Sequence, residues 1–409
     1  MNGKSVKVFV NFIMIFILIS VFLTGCSGEN AGISYGKKEL TSQEKMEDFE
    51  YMYNILKENY PYFEVNKRVN GVDWLKNKEI YESRIENTKN NEDFMEELNS
   101  ILSELHNGHT NVLFKKNFPD FYSVYKDMDS RKPWFNVLTN KKSMEWYGFS
   151  EDSLKDESSD GLFSSTKPAF KTDKIVPDKV AYLKIRLMDP KRIEEDGKEI
   201  KKFYNKIEDY DKLIIDIRGN GGGSDYYWIE NIIKPLTFKP LSVNYYMFER
   251  GGEYNKKIYD SMGSEFRDIS SISPEILNKM PQEVKTKFKN YEISTAVIKP
   301  YNSINFKGKI YMLIDKAVYS SSDGFASFAK ASKFATLIGE RTGGDGIGPD
   351  PIIFSLPNSG AIVRYSSLLC LNPDYTINEE VQTAPDIEVN PAVGNRYKED
   401  LCIQAAIKD

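Results

Sequence analysis

Apolar residues near the start of the chain recur with the period of an α-helix. After the capping-box sequence Thr41-Ser-Gln-Glu44, the apolar positions follow at spacings of three and four: Met46, Phe49, Tyr53, Leu56 and Tyr60. Pro61 ends this helix, because proline has no backbone N–H to donate. Further helical patterns cover residues 72–87 and 91–105. The sequence therefore predicts a small helical domain over residues 41–110.

The second half of the chain has short apolar runs that alternate with helical segments. Residues 180–187 alternate as a strand does, and residues 190–207 carry a charged helical pattern. Apolar runs at 213–217 and 310–314 are short and bounded like buried strands. This order predicts parallel strands joined by right-handed crossovers. We therefore expect an α/β domain over residues 179–392, followed by a C-terminal helix within residues 393–409.

Two stretches have a weaker pattern. Residues 111–178 are interpreted as a connecting region, in which the segments FPDFYSVYKDMD and PWFNVLT could contain strands. Residues 240–299 form a long polar and aromatic insertion, with helical patches at 273–280 and 282–290. The strand at 310–314 is expected to resume the sheet after this insertion.

The first residues are typical of an export signal. Lys4 and Lys7 precede an apolar run over residues 8–23, which leads into the sequence LTGC ending at Cys26. This ending resembles a bacterial lipobox, in which the cysteine is lipidated; the alternative is an uncleaved anchor helix. We favour a signal peptide over residues 1–25 and a tether over residues 26–40. The protein is then exported and held at the outer face of the bacterial cell membrane by its lipid anchor only.

Composition narrows the function classes. The 409 residues are 40% hydrophobic and 28% charged, which is an ordinary globular composition with room for two or three domains. A net charge of −5 gives no reason to expect a nucleic-acid partner. The three cysteines and two histidines form no CxxC motif or His/Cys cluster, so no metal or cofactor is predicted. Cys370 and Cys402 either pair or remain as buried thiols.

Three short motifs carry groups with catalytic chemistry. Serines 320–322 stand where a strand turns into a helix, which suits a nucleophile but also an ordinary helix N-cap. His109 follows an Asn-Gly turn and is either a general base or a surface histidine. The glycine loop 221–223 has the spacing of neither a P-loop nor a dinucleotide fingerprint. Its backbone N–H groups suit an oxyanion, although a plain strand-to-helix turn would have the same sequence.

Taken together, four segments and their order resemble a known family. The segments are LIIDIRGNGGG, IYMLIDKAVYSSSDGFASFA, ATLIGERTGGDGIG and APDIEV. They resemble the C-terminal-processing (tail-specific) serine peptidases, and are closer to the tricorn-core (Ser/His) type than to the lysine-dependent type. The resemblance implies a crotonase/Clp-like β/α spiral after the helical domain. It also implies hydrolysis of peptide or protein substrates through an acyl-enzyme, without a cofactor. Residues 111–178 contain no evident peptide-binding loop of the PDZ kind.

The resemblance assigns the nucleophile and its base. The register of SSSDGF selects Ser320 as the nucleophile, with Ser321 and Ser322 as alternatives. The lysine-dependent enzymes place their base 25 residues after the serine, where this chain has Asp345. The NGHT turn selects His109 as the base instead, because a serine hydroxyl needs a neighbouring proton acceptor.

The resemblance also implies a third catalytic acid and an oxyanion hole, each with more than one candidate residue. The third catalytic acid is Glu380 or Glu379, in the segment before APDIEV. The oxyanion hole consists of the N–H of Ser321 and that of Gly222, with Gly221 and Gly223 as alternatives to Gly222. Gly108 stands where the tricorn type has a serine before its histidine.

A second hypothesis is a non-catalytic ligand- or peptide-binding lipoprotein on the same fold. Such a module needs neither His109 nor Ser320. The peptidase hypothesis is favoured because nucleophile, base and oxyanion donors are all present in one chain. It predicts that the His109 side chain lies within about 3–4 Å of Ser320. The sequence indicates no particular oligomeric state.

Overall fold

A computed structural model describes residues 34–126, 128–152, 167–304, 306–389 and 396–409. The predicted signal peptide and Cys26 lie outside these residues. Within them, no helix is long and apolar enough to cross a membrane.

The N-terminal domain is a helical unit built on stacked aromatic rings. Its helices are α1 (Ser42–Asn59), α2 (Phe63–Asn70), α3 (Lys78–Glu86) and α4 (Asn91–Ser103). The capping box at Thr41 and Glu44 is present, which confirms the predicted start of α1. Trp74 is buried, stacks on Tyr53 with ring centroids 5.2 Å apart, and donates its indole N–H to Ile101 O at 2.9 Å. Helix α2 was not predicted, because it directly follows the proline that ends α1.

Residues 34–40 differ from the predicted tether. Tyr35 is buried and its ring stacks on Trp146, with centroids 5.7 Å apart. The N–H of Gly36 donates to Trp146 O at 2.8 Å, and that of Leu40 donates to Asn91 Oδ1 at 3.0 Å. The end of the predicted tether is therefore part of the folded unit, while residues 26–33 lie outside the described residues.

In the connecting region, the two segments suggested as strands are helical where the structure describes them, so that suggestion is wrong. It contains the short strand β1 (Asn111–Val112) and the helices α5 (Phe118–Lys126), α6 (Lys132–Leu138) and α7 (Lys141–Tyr147). The buried side chains of α5 are Phe118, Phe121, Tyr122 and Tyr125, which recur at helical spacing. The high aromatic content suggested a strand, but the period of burial is that of a helix.

The central sheet carries the predicted parallel strands. Within the described residues its order is β13-β9-β8-β4-β3-β2. The strands are β2 (Phe170–Val176), β3 (Val180–Ile185), β4 (Lys212–Asp216), β8 (Lys309–Ile314), β9 (Thr336–Gly339) and β13 (Ile387–Glu388). All neighbours are parallel except the β2–β3 pair. Helices α8 (Ile193–Tyr204) and α14 (Ser321–Ala331) make crossovers, and α16 (Leu401–Lys408) contacts β4, β8 and β9. The mixed α/β class is confirmed.

The insertion builds a second sheet, which the sequence pattern did not predict. The order in this sheet is β12-β5-β7-β6, all antiparallel. Its strands are β5 (Leu241–Glu249), β6 (Arg267–Asp268), β7 (Asn290–Ile298) and β12 (Leu369–Leu371). The helices of the insertion are α11 (Glu253–Ser261), α12 (Pro274–Leu277) and α13 (Gln282–Lys287). Strand β12 comes from beyond the insertion, so local periodicity could not indicate the pairing.

A third, small sheet joins the helical domain to the α/β domain. In it β1 pairs with β11 (Ile362–Tyr365), which forms a hairpin with β10 (Ile352–Ser355). Asn111 is paired with Arg364, only two residues after His109. This pairing holds the histidine turn against the C-terminal part of the chain.

The remaining helical segments follow the glycine loop and precede β13. Helix α9 (Asp225–Trp228), the π-helical segment Ile229–Ile233 and α10 (Lys234–Leu236) form one continuous run, and α15 (Asn378–Val381) is a single turn. Cys370 and Cys402 are buried free thiols, which decides between the two predicted states.

Candidate active site

Ser320 lies at the junction between β8 and α14 in a strained backbone conformation. Its φ of 56° and ψ of −132° are rare for a residue with a side chain and cost about 1–3 kcal/mol. Two backbone hydrogen bonds hold it there: its N–H donates to Gly344 O at 3.1 Å, and its carbonyl accepts from Gly324 N at 2.9 Å. A Cβ on Gly324 would lie 2.4 Å from Gly346 O, so only glycine permits this approach.

His109 meets Ser320 directly. Its Nε2 lies 3.1 Å from Ser320 Oγ, within the predicted distance, and both side chains are buried. The turn before β1 is closed by the N–H of Thr110, which donates to Asn107 O at 3.0 Å. His106, by contrast, faces Asn66 and has its Nδ1 3.1 Å from Oδ1 of that residue. The structure therefore brings His109, and not His106, to the serine.

Of the three adjacent serines, only Ser320 contacts the histidine within the described residues. Ser321 Oγ donates to Asp225 Oδ1 at 2.6 Å, on the opposite side of the junction. The N–H of Ser322 donates to Tyr319 O at 3.2 Å, and its side chain is buried. The open register of the nucleophile is therefore resolved by geometry in favour of Ser320.

Asp345 is the acid that contacts His109. Its Oδ2 lies 2.7 Å from His109 Nδ1 and also accepts hydrogen bonds from Asn107 Nδ2 at 2.9 Å and Ser366 Oγ at 3.0 Å. Burial of Asp345 opposes ionisation, but the electrostatic attraction of the His109 ring and these hydrogen bonds outweigh it and lower the pKa of the carboxyl. An ionised carboxylate only accepts, so Nδ1 carries the proton and the Nε2 lone pair faces Ser320.

Asp345, rather than Glu380 or Glu379 that the resemblance suggested as the third catalytic acid, is the acid hydrogen-bonded to His109. Glu380 accepts from Arg68 Nε at 2.8 Å, and the same guanidinium binds Glu283. Glu379 accepts from Asn107 Nδ2 at 2.9 Å and so reaches the site only through that amide. Burial and the neighbouring charge of Asp345 raise the pKa of Glu379 well above its usual range.

The signal for Asp345 was present in the sequence. It lies 25 residues after Ser320, at the position that excluded a lysine base. The bridge between Tyr319 and Gly344 brings its loop back to the strand–helix junction. Any acid in that loop is therefore near Ser320. The return of the loop to the junction could have indicated Asp345 as the partner of His109.

Tyr319 explains why glycine precedes the histidine. The Tyr319 ring lies beside the His109 ring with centroids 5.1 Å apart, and its hydroxyl donates to Asp345 Oδ2 at 3.2 Å. A Cβ on Gly108 would lie 2.9 Å from Tyr319 Oη. Glycine at position 108 therefore leaves room for a tyrosine that helps to hold the acid.

Asp323 has a structural role beside the site. It accepts from Thr342 Oγ1 at 2.5 Å, from Gly346 N at 3.2 Å and from Asn378 Nδ2 at 3.1 Å. These bonds tie the first turn of α14 to the loop after β9 and to α15. Burial raises the pKa of Asp323, although the hydrogen bonds act in the opposite direction.

The oxyanion donors differ in part from the prediction. The N–H of Gly222 donates to Asn220 Oδ1 at 2.9 Å, so this predicted donor is engaged inside the loop. Gly223 packs so tightly on Met188 that a Cβ would lie 2.1 Å from its carbonyl oxygen. Ser321 is the first residue of α14, where backbone N–H groups have no partner within the helix. With Gly222 engaged, Gly223 and Ser321 are the remaining candidates among the predicted donors.

The described part of the chain contains no group of three or more His, Cys, Asp and Glu side chains that could hold a metal ion.

Comparison with known proteins agrees with this geometry. Residues 179–389 match peptidase family S41, and residues 41–104 match the tricorn protease C1 domain. A structure from Parabacteroides merdae ATCC 43184 is 20% identical with a TM-score of 0.57, covering 89% of this chain and 96% of that one. Mature CPAF in complex with lactacystin is 13% identical with a TM-score of 0.53, covering 85% and 94%. No curated protein matches the chain.

The two structural likenesses support the fold. The family match covers more than half of the 409 residues and includes the glycine loop, Ser320 and Asp345. This chain belongs to peptidase family S41 and is a serine peptidase.

Proposed function

We propose that this peptidase is of the Ser/His type, with Ser320 as nucleophile, His109 as general base and Asp345 as the acid that orients the base. One observation carries the proposal: His109 links the other two, with Nε2 3.1 Å from Ser320 Oγ and Nδ1 2.7 Å from Asp345 Oδ2. A base that is itself oriented by a third group is the arrangement that activates a serine hydroxyl.

The reaction follows from these positions. His109 Nε2 takes the proton of Ser320 as Oγ attacks the carbonyl carbon of the scissile peptide bond, and Asp345 stabilises the imidazolium that forms. The same proton is then given to the departing amine, which leaves an acyl-enzyme on Ser320. A water molecule, deprotonated by His109, hydrolyses this ester and releases the acid product.

Charge on the substrate carbonyl oxygen is stabilised by backbone donors. The N–H of Ser321 lies at the positive end of α14, an eleven-residue helix, and Gly223 supplies the second donor. Gly222 contributes indirectly, because its bond to Asn220 holds the loop in shape.

The positions of the lysines argue against a Ser/Lys dyad. Lys330, on α14, donates to Ala384 O at 2.8 Å and pairs with Asp386 at 3.1 Å. Its amine is therefore engaged at the far end of the helix that starts at Ser321. The position 25 residues after Ser320 holds the acid that contacts His109.

Labelling with a fluorophosphonate probe tests the mechanism. The folded wild-type protein should label, while Ser320→Ala should not and His109→Ala should label far more slowly. His106→Ala and Ser322→Ala are matched controls and should label like wild type. Absence of labelling in folded wild type, or labelling that survives Ser320→Ala, would overturn the proposal.

The proposal includes the substrate class and the location. Substrates are peptides or proteins, and the protein is exported and anchored through a lipid on Cys26. Replacing Cys26 by serine in the producing cell should move the protein from the membrane fraction to the soluble or secreted fraction. A wild-type protein found in the cytosol would contradict the location.

A further inference from the structure

A partly buried carboxyl, that of Asp225, lies at the strand–helix junction beside Ser321. Asp225 begins α9, two residues after Gly223. Its Oδ1 accepts from Ser321 Oγ at 2.6 Å and from Trp228 Nε1 at 3.0 Å. The two donors hold the carboxyl beside Ser321, the residue that follows the nucleophile.

This carboxyl has no counter-charge in the described part of the chain. Arg131, whose charge acts on the adjacent Tyr226, pairs with Asp350 at 2.6 Å and is buried with it. The charge of Asp350 and burial act in the same direction, and together they raise the pKa of Asp225 to about 7. An ionised Asp225 carboxylate is therefore removed from water without an oppositely charged partner.

The position of Asp225 relative to the oxyanion donors determines which part of a bound substrate its carboxyl can contact. Of the two donors, Gly223 lies two residues before Asp225 in the chain, and Ser321 is bonded to Asp225 through its hydroxyl. When the substrate carbonyl oxygen binds between these N–H groups, the residue that contributes the carbonyl lies over the junction. A lysine or arginine side chain on that residue is long enough to reach the carboxyl.

We propose that Asp225 binds the ammonium or guanidinium group of a basic residue on the acyl side of the scissile bond, and so selects lysine or arginine there. The inference rests on the proposed role of Ser320 and specifies the substrate class of the same site.

Charge balance in the transition state supports this selection. Negative charge develops on the substrate oxygen beside Ser321, and an uncompensated carboxylate at Asp225 would oppose it. A cation from the substrate neutralises the carboxylate and removes this repulsion. The methylene stem of the basic side chain can pack on the indole of Trp228, which is held by stacking on Phe325 with centroids 5.2 Å apart.

A matched pair of covalent probes tests the selection without knowledge of the natural substrate. The probes are aryl phosphonates that differ only at the residue next to phosphorus, with lysine in one and the neutral, unbranched norleucine in the other. Inactivation of wild type should be roughly 10- to 100-fold faster with the lysine probe, the range expected for a hydrogen bond to a charged group. Asp225→Asn keeps the size and the acceptor oxygen but should lose most of this ratio.

Glu230→Gln is the control variant. Glu230 is an acid on the same helical run, but it pairs with Lys234 at 2.5 Å. Its replacement should keep the wild-type ratio, because the carboxylate is already compensated by that lysine.

Each outcome of the experiment has a consequence. Equal rates with the two probes on wild type would overturn the inference while leaving Ser320 as the nucleophile. A ratio that persists in Asp225→Asn would assign the selection to another residue. If neither these probes nor fluorophosphonate labels the folded wild type, the proposed function fails and the inference fails with it. The ratio in wild type decides the inference even if the asparagine variant does not fold.

Discussion

His109 and Asp345 are 236 residues apart in the chain, yet His109 Nδ1 lies 2.7 Å from Asp345 Oδ2 in the buried centre of the protein. The helical domain supplies His109, the proposed base, and the loop after β9 supplies Asp345. The active site is therefore complete only when the two domains are docked, and the β1–β11 pairing next to His109 performs that docking.

Asp345→Asn should reduce the rate of fluorophosphonate labelling by about a thousandfold or more. An asparagine amide can donate to Nδ1, which would leave the proton on Nε2, where it cannot accept the serine proton. The variant should keep the fold, because the amide has nearly the same size as the carboxyl. Glu380→Gln is the control and should label like wild type, and an equal loss in both variants would contradict the assignment of Asp345.

Glu379→Gln should make the protein more stable than wild type at pH 8. The folded-state pKa of Glu379 is raised, so between the unfolded and folded pKa values the folded state binds more protons than the unfolded state. Stability from this group is therefore present in acid and is lost as the pH rises through the folded pKa. Glutamine mimics the protonated form and removes that loss.

Thermal unfolding of this variant between pH 4 and pH 8 gives the measurement. The difference from wild type should be small at the acid end and grow toward alkaline pH. Glu380→Gln, on the same turn, removes an ion pair with Arg68 and should not become more stable than wild type toward alkaline pH. A constant difference for Glu379→Gln would contradict the prediction.

Gly108→Ala should slow labelling, and its clash with Tyr319 should destabilise the protein by about 1–3 kcal/mol, the usual effect of overpacking. The added Cβ would lie 2.9 Å from Tyr319 Oη and displace the hydroxyl that donates to Asp345. The double variant with Tyr319→Phe removes that hydroxyl and should recover part of the stability. If the double variant is only the sum of the two single effects, the two residues are not coupled in this way.

The preference for a lysine probe over a norleucine probe should rise between pH 6 and pH 8. Asp225 has a pKa raised to about 7 by burial, so below that value its carboxyl is neutral and attracts no cation. The groups that face it are Ser321 and Trp228, which do not titrate in this range, together with Asp350 and Tyr226.

The rate ratio isolates this effect, because ionisation of His109 changes the rates with both probes equally. Asp225→Asn should give a ratio that does not change with pH. A wild-type ratio that is constant or falls over this range would contradict the prediction.

Local patterns in the sequence were enough for the elements whose partners are close in the chain. The parallel strands around β4 and β8 are continuous apolar runs because both of their faces are buried, so they could be predicted. Thr41 and Glu44 cap α1 through contacts three residues apart, and the hairpin of β10 and β11 is equally local. Ser320 and His109 were found because a nucleophile and a base have few alternatives in a chain with two histidines.

Tertiary structure alone decided which of several equivalent groups is used. Asp345, Glu379 and Glu380 carry the same chemistry in the sequence, but the loop after β9 returns to Ser320 while Glu380 is held by Arg68. The N–H of Gly222 is indistinguishable from its neighbours until Asn220 binds it. The sheet around β5 requires β12 from more than a hundred residues away. Hydrogen-bond partners and strand neighbours depend on where distant segments pack, and local periodicity carries no information about that.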